Sequence, residues 1–199
     1  MSGVAIIDSG GANIASLLFA FKRLGVAADL TDDADVIRDA DRVLLPGVGA
    51  ARDAMNRLRE KDLQDVIPAL EQPVLGICLG MQLLCEFSEE DDTECLAVFP
   101  GTANRLVASA EHPVPNMGWC ETSFSAKHWL LDGIDNQCFF YYLHSYAIEV
   151  SEHTIATARQ AGPFSSIIAK GNFVAAQFHP ERSSTAGSRL LRNFLTGPK

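Results

Sequence analysis

Over the first 87 residues, short apolar runs alternate with amphipathic stretches of helical period. Val4 to Ile7 is continuously apolar, ends at Asp8 and predicts a buried strand. The turn Ser9-Gly-Gly-Ala-Asn13 follows, and then Ile14, Leu17, Leu18, Phe21 and Leu24 share one helical face closed by Gly25. Val26 to Leu30 predicts a second strand, and Ala34, Val36, Ile37 and Ala40 a brief helix. Val43 to Leu45 reads as a third strand stopped by Pro46, after which Pro46-Gly-Val-Gly49 opens a helix carrying Met55, Leu58, Leu63 and Ile67. Within Pro73 to Gln82, three apolar residues give a fourth, short buried strand just before a helical pattern at Leu79, Leu83, Leu84 and Phe87. Strand and helix in alternation predict a doubly wound, mostly parallel α/β sheet of the flavodoxin-like kind.

Beyond Phe99 the period shortens. Ala103 to Val107, Trp119 to Phe124, Cys138 to Tyr142, Ala147 to Val150, Thr154 to Ala158, Ser166 to Ala169 and Phe173 to Phe178 read as strands of an antiparallel extension. Pro113 to Trp119 reads as a rigid loop that either covers the core or meets a partner, and Ser188 to Leu195 as a closing helix. With no repeat and no low-complexity linker, residues 1–199 are expected to form one domain.

Composition narrows the function classes. Five cysteines, at 78, 85, 95, 120 and 138, form no Cys-x-x-Cys pair and no zinc-finger spacing, which points to a reducing compartment and no metal. No leader and no membrane-length apolar run is visible, so the expectation is a soluble cytoplasmic protein without a membrane role. A net charge of −9 excludes a general nucleic-acid surface, and the absence of a Walker A pattern points to a small, weakly charged substrate. The run Glu89 to Glu94 reads as a solvated loop. No cofactor is expected, since the Gly-rich turn after the first strand lacks the dinucleotide spacing.

The chemistry concentrates around Gly76-Ile-Cys-Leu-Gly80. A thiol between two glycines at a strand-to-helix junction has the form of a nucleophile elbow, where the following helix's free N–H groups favour a thiolate. A buried structural cysteine is the alternative. Among five histidines, His179 stands at the end of an apolar strand; Pro180 keeps it extended, and Glu181 two residues on projects to the same side. By itself His-Pro-Glu fits a chance surface loop, but beside the elbow it fits a base with its own orienting carboxylate. Pro46-Gly-Val-Gly49, weak alone, would end on the same sheet edge as Cys78.

Together, Gly-Ile-Cys-Leu-Gly-Met-Gln (76–82) and Gln-Phe-His-Pro-Glu (177–181) resemble the class I glutamine amidotransferases, which implies that family's fold and a triad of Cys78, His179 and Glu181. Leu-Pro-Gly-Val-Gly (45–49), Met-Gly-Trp (117–119), His-Ser-Tyr (144–146) and His-Pro-Glu-Arg-Ser (179–183) are similar to one branch of it, the glutaminase subunits of imidazole glycerol phosphate synthases. Ser9, Cys120 and Ser184 depart from the residues that branch commonly carries, tyrosine, asparagine and glutamine. The elbow places the Leu79 amide at a developing oxyanion, the second donor is expected from Gly47 to Gly49, at Val48, and the resemblance implies glutamine as substrate. It implies substrate contacts at Gly49, Gln82, Ser145 and Tyr146. It also implies a heterodimer with a (β/α)8 cyclase, which takes the ammonia to make imidazole glycerol phosphate and aminoimidazole carboxamide ribotide, with Asn13, Trp119, Tyr141 and Arg182 at the interface. The rival readings are a glutaminase serving another synthase and a non-catalytic regulatory subunit.

Overall fold

In the computed structural model, residues 3–10 and 14–198 are described. The first half runs β1 (Val4–Ile7), α1 (Ile14–Arg23), β2 (Ala28–Thr31), α2 (Ala34–Asp39), β3 (Arg42–Gly47), α3 (Ala51–Glu60), β4 (Val74–Cys78) and α4 (Leu79–Leu83). Short strands β5 (Phe87–Ser88), β6 (Thr93–Glu94) and β7 (Thr102–Arg105) follow, then β8 (Asn116–Phe124), β9 (Cys138–His144), β10 (Tyr146–Ile148), β11 (Thr154–Gln160), β12 (Gly162–Lys170), β13 (Phe173–Ala176) and α5 (Ser184–Thr196). Among the described residues, nine strands form the main sheet in the order β2-β1-β3-β4-β13-β12-β11-β8-β9. From β2 to β13 neighbours run parallel, and from β13 to β9 antiparallel.

The apolar runs are unbroken because both faces of the parallel half are buried. Ala5, Ile7, Val43, Leu45 and Val74 point into one core with Ile37, Met55, Leu58 and Met81 from α2, α3 and α4. Val4, Ile6, Leu44, Leu75 and Ile77 point into the other with Leu17, Phe21, Leu190 and Phe194 from α1 and α5. The two-residue period of the strands thus sorts each run into two helical layers.

The boundaries differ from the sequence reading in physically explicable ways. Pro46 does not stop β3: it pairs in register with Ile77, and β1 pairs only as far as Leu44, so its missing N–H costs no bond on that side. The third helix ends at Glu60, because Asp62 takes a left-handed φ of 55°; Leu63 and Ile67 are buried from the turns beyond it. The helix after Cys78 has five residues, and Phe87 belongs to β5. Residues 96–99 fold back on it, where the amides of Leu96, Ala97 and Val98 bond to the carbonyls of Leu83, Cys85 and Leu84 and take the acceptors a longer helix would use. Strands β7 and β10 leave the main sheet for a four-stranded one of order β10-β7-β5-β6. The region expected to be a loop up to Trp119 is already β8 from Asn116, β13 stops at Ala176, and α5 begins at Ser184.

One close approach sets the site. A Cβ on Gly80 would stand 1.7 Å from the carbonyl oxygen of Leu45, so α4 lies directly on β3 only because residue 80 has no side chain. Gly80→Ala is expected to lower unfolding stability by about 3 kcal/mol in chemical denaturation. Gly162→Ala, where the added carbon meets nothing within 4 Å, should stay within about 0.5 kcal/mol of the parent.

Candidate active site

The carboxyl ends of β3 and β4 and the segment after β13 meet at one sheet edge. Cys78 closes β4 with φ 53° and ψ −109°, a conformation costly for a side-chain-bearing residue, which turns the chain sharply into α4 and lifts the thiol out of the sheet. The glycines allow this: Cβ atoms on Gly47 or Gly80 would collide with Leu79 or Leu45. A cleft of about 430 Å³ opens above, lined among others by Val48, Gly49, Cys78, Leu79, Gln82, Glu90, Ser145, Tyr146, His179 and Arg182. Every triad, oxyanion and substrate position expected from the sequence lines it except Glu181, which lies behind His179.

His179 is extended, at φ −99° and ψ 96°, as its proline neighbour requires. Its amide donates to the Tyr141 carbonyl at 2.9 Å, and its carbonyl accepts from the Ser183 hydroxyl at 2.7 Å. The Tyr141 amide donates in turn to that hydroxyl at 2.9 Å, so the edge of β9 holds the histidine's backbone. Nδ1 lies 2.9 Å from Glu181 Oε1, and both side chains are buried. Glu181 arrives through a 3-10 turn at Pro180–Arg182 rather than the extended alternation expected from the sequence. The remaining ring nitrogen faces Cys78. Burial opposes the imidazolium, but hydrogen bonding and charge at Cys78 and Glu181 outweigh it and raise His179 to about 10. A five-residue helix carries a smaller dipole than the longer one the sequence suggested, so this cation is the stronger electrostatic feature beside the sulfur.

Around the thiol, Cys78 Sγ donates to the Leu143 carbonyl at 3.5 Å, and Gln177 Nε2 stands 3.9 Å from it. Gln82 Nε2 donates to the Tyr146 carbonyl at 3.0 Å and to Gln177 Oε1 at 3.2 Å, which leaves its own carbonyl oxygen for a ligand. Sequence reasoning missed Glu90. It is no freely solvated carboxylate: Oε2 accepts from the Ala51 amide at 2.8 Å, capping α3, whose own N-cap Ala50 has no side-chain acceptor. Burial raises its pKa. Nothing in an acidic run distinguishes the one member that folds inward, and only the tertiary contact does.

Of the expected interface residues, Asn13 lies outside the described residues. The other three stack together: the Arg182 guanidinium carbon sits 4.2 Å from the Tyr141 ring centroid, and Tyr141 meets Trp119 edge to face at 6.1 Å. Trp119, Met117, Phe139 and Leu143 are exposed on β8 and β9. Among the described residues no cluster of three or more His, Cys, Asp or Glu could hold a metal, and no helix is long and apolar enough to cross a membrane.

Residues 5–197 match the family model for glutamine amidotransferase class-I. The imidazole glycerol phosphate synthase subunit HisH 2 of Legionella pneumophila (strain Lens) is 47% identical over 193 residues, 97% of each chain. The HisH subunit of Vibrio cholerae is 46% identical over 198 residues, 96% of this chain and 97% of that one. Among solved structures, one described as a glutamine amidotransferase superposes with a TM-score of 0.74 at 18% identity, covering 96% of both chains. A second, a glutamine amidotransferase from Thermotoga maritima, superposes at 0.63 and 17% identity over 98% of this chain and 82% of the other.

Two outcomes follow from the electrostatics. Cys85, Cys95 and Cys138 are pushed up by burial to about 12, about 11 and about 11, so Cys78, open to the cleft beside a cation, should alkylate first. Peptide mapping after brief iodoacetamide treatment at neutral pH is expected to find it at least about tenfold ahead of those three. His179 holds its proton more tightly folded than unfolded; that stabilisation is complete below its ordinary 6.5 and is lost as pH rises through about 10. Thermal midpoints across that window should fall less steeply for His179→Asn than for the parent.

Proposed function

The chain belongs to the class-I glutamine amidotransferases, and from that membership we propose that it is the glutaminase subunit of an imidazole glycerol phosphate synthase, acting in histidine biosynthesis. In this reading Cys78 has already given its thiol proton to His179, whose raised proton affinity holds it as an imidazolium, and the sulfur attacks the side-chain amide carbon of glutamine. The resulting tetrahedral oxyanion is held by the amides of Leu79 and Val48, donors placed before the charge develops. Collapse breaks the carbon–nitrogen bond, His179 protonates the departing nitrogen, and ammonia leaves a γ-glutamyl thioester on Cys78. Water, deprotonated by His179, then attacks the thioester carbon, releasing glutamate and restoring the thiol. Glu181 keeps the imidazole oriented and stabilises its cation throughout.

What supports this reading above all is the convergence of a strained cysteine with a histidine already paired to a buried carboxylate, across a cleft of a size to take an amino acid. Within the cleft we assign the glutamine α-ammonium to Glu90, the one acidic side chain among the described residues lining it, and the remaining recognition to Gly49, Gln82, Ser145 and Tyr146. The partner is a cyclase that consumes the ammonia, and its docking face is the exposed apolar strip of β8 and β9 with Arg182. An aromatic and arginine stack of this kind has the composition of an interface hot spot.

Glutamate release should be measured for the chain alone and with a candidate cyclase and its nucleotide substrate. Cys78→Ala is expected to lower it at least about a thousandfold while leaving complex formation intact, and retained turnover would remove the nucleophile assignment. Glu90→Gln should raise KM for glutamine with a smaller effect on kcat. Arg182→Glu should weaken the complex by about tenfold in a titration, and unchanged affinity would take that residue out of the interface.

A further inference from the structure

The cleft holds a second buried histidine that the mechanism does not use. His144, the last residue of β9, is 5% exposed, and both its ring nitrogens are engaged. Nδ1 lies 2.8 Å from the Tyr146 carbonyl oxygen, which can only accept, so Nδ1 carries the proton and donates. Nε2 is then the acceptor, and Asn116 Nδ2 donates to it from 3.0 Å across the β8–β9 ladder. The far end of Asn116 agrees: its Oδ1 accepts from the Cys120 thiol at 3.5 Å, as an amide oxygen must. From Cys120 through Asn116 and His144 to the Tyr146 carbonyl, every donor points the same way. That carbonyl also takes a bond from Gln82, which reaches Gln177 beside Cys78.

We propose that His144 is a positioning residue: its neutral, Nδ1-protonated ring clamps the Tyr146 carbonyl and thereby holds the turn from Leu143 to Tyr146 in the shape that binds glutamine. The proposal rests on reading the cleft as a glutamine pocket. The turn needs a clamp because the chain leaves the main sheet at His144 and enters the small one at Tyr146, so no single ladder supports it. It also carries the Leu143 carbonyl, which accepts from Cys78 at 3.5 Å. A protonated ring would set Nε2–H against Asn116 N–H, and the amide flip that relieves this would break the Cys120 contact.

The surroundings favour the neutral form. Burial depresses His144 to about 4; the bond to Tyr146 works against this, and the charge on His179 adds to it. Tyr142 and Phe164 pack on the ring, Cys120 reaches it through Asn116, and Cys78, Glu90 and Arg182 line the same cleft. Of two histidines sharing one cleft, one is built to hold a proton and the other to refuse it.

The test combines a spectrum with kinetics. In the full chain with 15N-labelled histidine, the ring nitrogens of His144 should show the Nδ1–H pattern, unchanged from about pH 5.5 to about pH 8. An Nε2–H pattern, or titration inside that range, overturns the proposal, and this measurement needs no variant. His144→Phe should raise KM for glutamine about tenfold while kcat stays within about threefold. His144→Gln, whose amide N–H can reach the same carbonyl, should recover most of the loss. A glutamine variant as impaired as the phenylalanine one, or a fall in kcat with KM unchanged, overturns the clamp. Absence of glutamine hydrolysis by the parent would count instead against the pocket assignment, with the spectrum then deciding the clamp.

Discussion

The site depends on how closely α4 can lie against β3. Where Gly80 touches the Leu45 carbonyl and Gly47 touches Leu79, there is no space for a methyl group. That contact brings the Pro46 to Gly49 loop alongside the first amide of α4, and it turns Cys78 upward in a conformation that costs free energy. The strain persists because the surroundings leave no alternative: β4 lies between β3 and β13 in register, and the residues after α4 are bonded back onto it. A reactive geometry is thus a by-product of two helical layers packed tightly on a parallel sheet.

The same edge resolves an electrostatic difficulty. An acidic chain has no general reason to stabilise a thiolate, and the short α4 contributes little dipole. The compensation is local, a buried imidazolium held by Glu181 from behind and by Cys78 in front. Burial alone would have discharged that histidine, as it does His144 in the same cleft. The difference lies in the partners: His179 has the Cys78 sulfur and the Glu181 carboxylate, whereas His144 has only the Tyr146 carbonyl and the Asn116 amide. Two identical side chains are driven to opposite charge states by the groups that meet their two ring nitrogens.

Much of this was legible in the chain, and the limits are instructive. The parallel half could be read because burial on both faces leaves unbroken apolar runs, and the elbow because Gly76, Cys78 and Gly80 can serve few other purposes at a strand end. His179 and Glu181 could be paired once the elbow gave them a context, although they are joined by a 3-10 turn and not by the extended alternation expected. What escaped were features set by distant segments. Helix α4 is short because residues 96–99 occupy its acceptors, Pro46 stays in β3 because β1 has ended, and Glu90 turns inward to cap a helix 39 residues earlier. No local window contains those causes. His144 escaped for a related reason, since its meaning depends on Asn116, a cross-strand neighbour 28 residues away.

These distant contacts also join the two faces of the function. Strand β8 presents Met117 and Trp119 to solvent and Asn116 to the interior, so a partner settling on the outer residues bears on the strand that orients His144. Strand β9 does the same, with Tyr141 stacked under Arg182 on one side and its backbone bonded to His179 on the other. A displacement of a few tenths of an ångström in either strand therefore reaches the imidazole base, the Leu143 carbonyl at the sulfur and the Tyr146 carbonyl at once. A packed interior transmits such shifts rather than absorbing them. The antiparallel half of the sheet, which carries neither Cys78 nor His179 in its own strands, is in this sense the part that holds both to their positions.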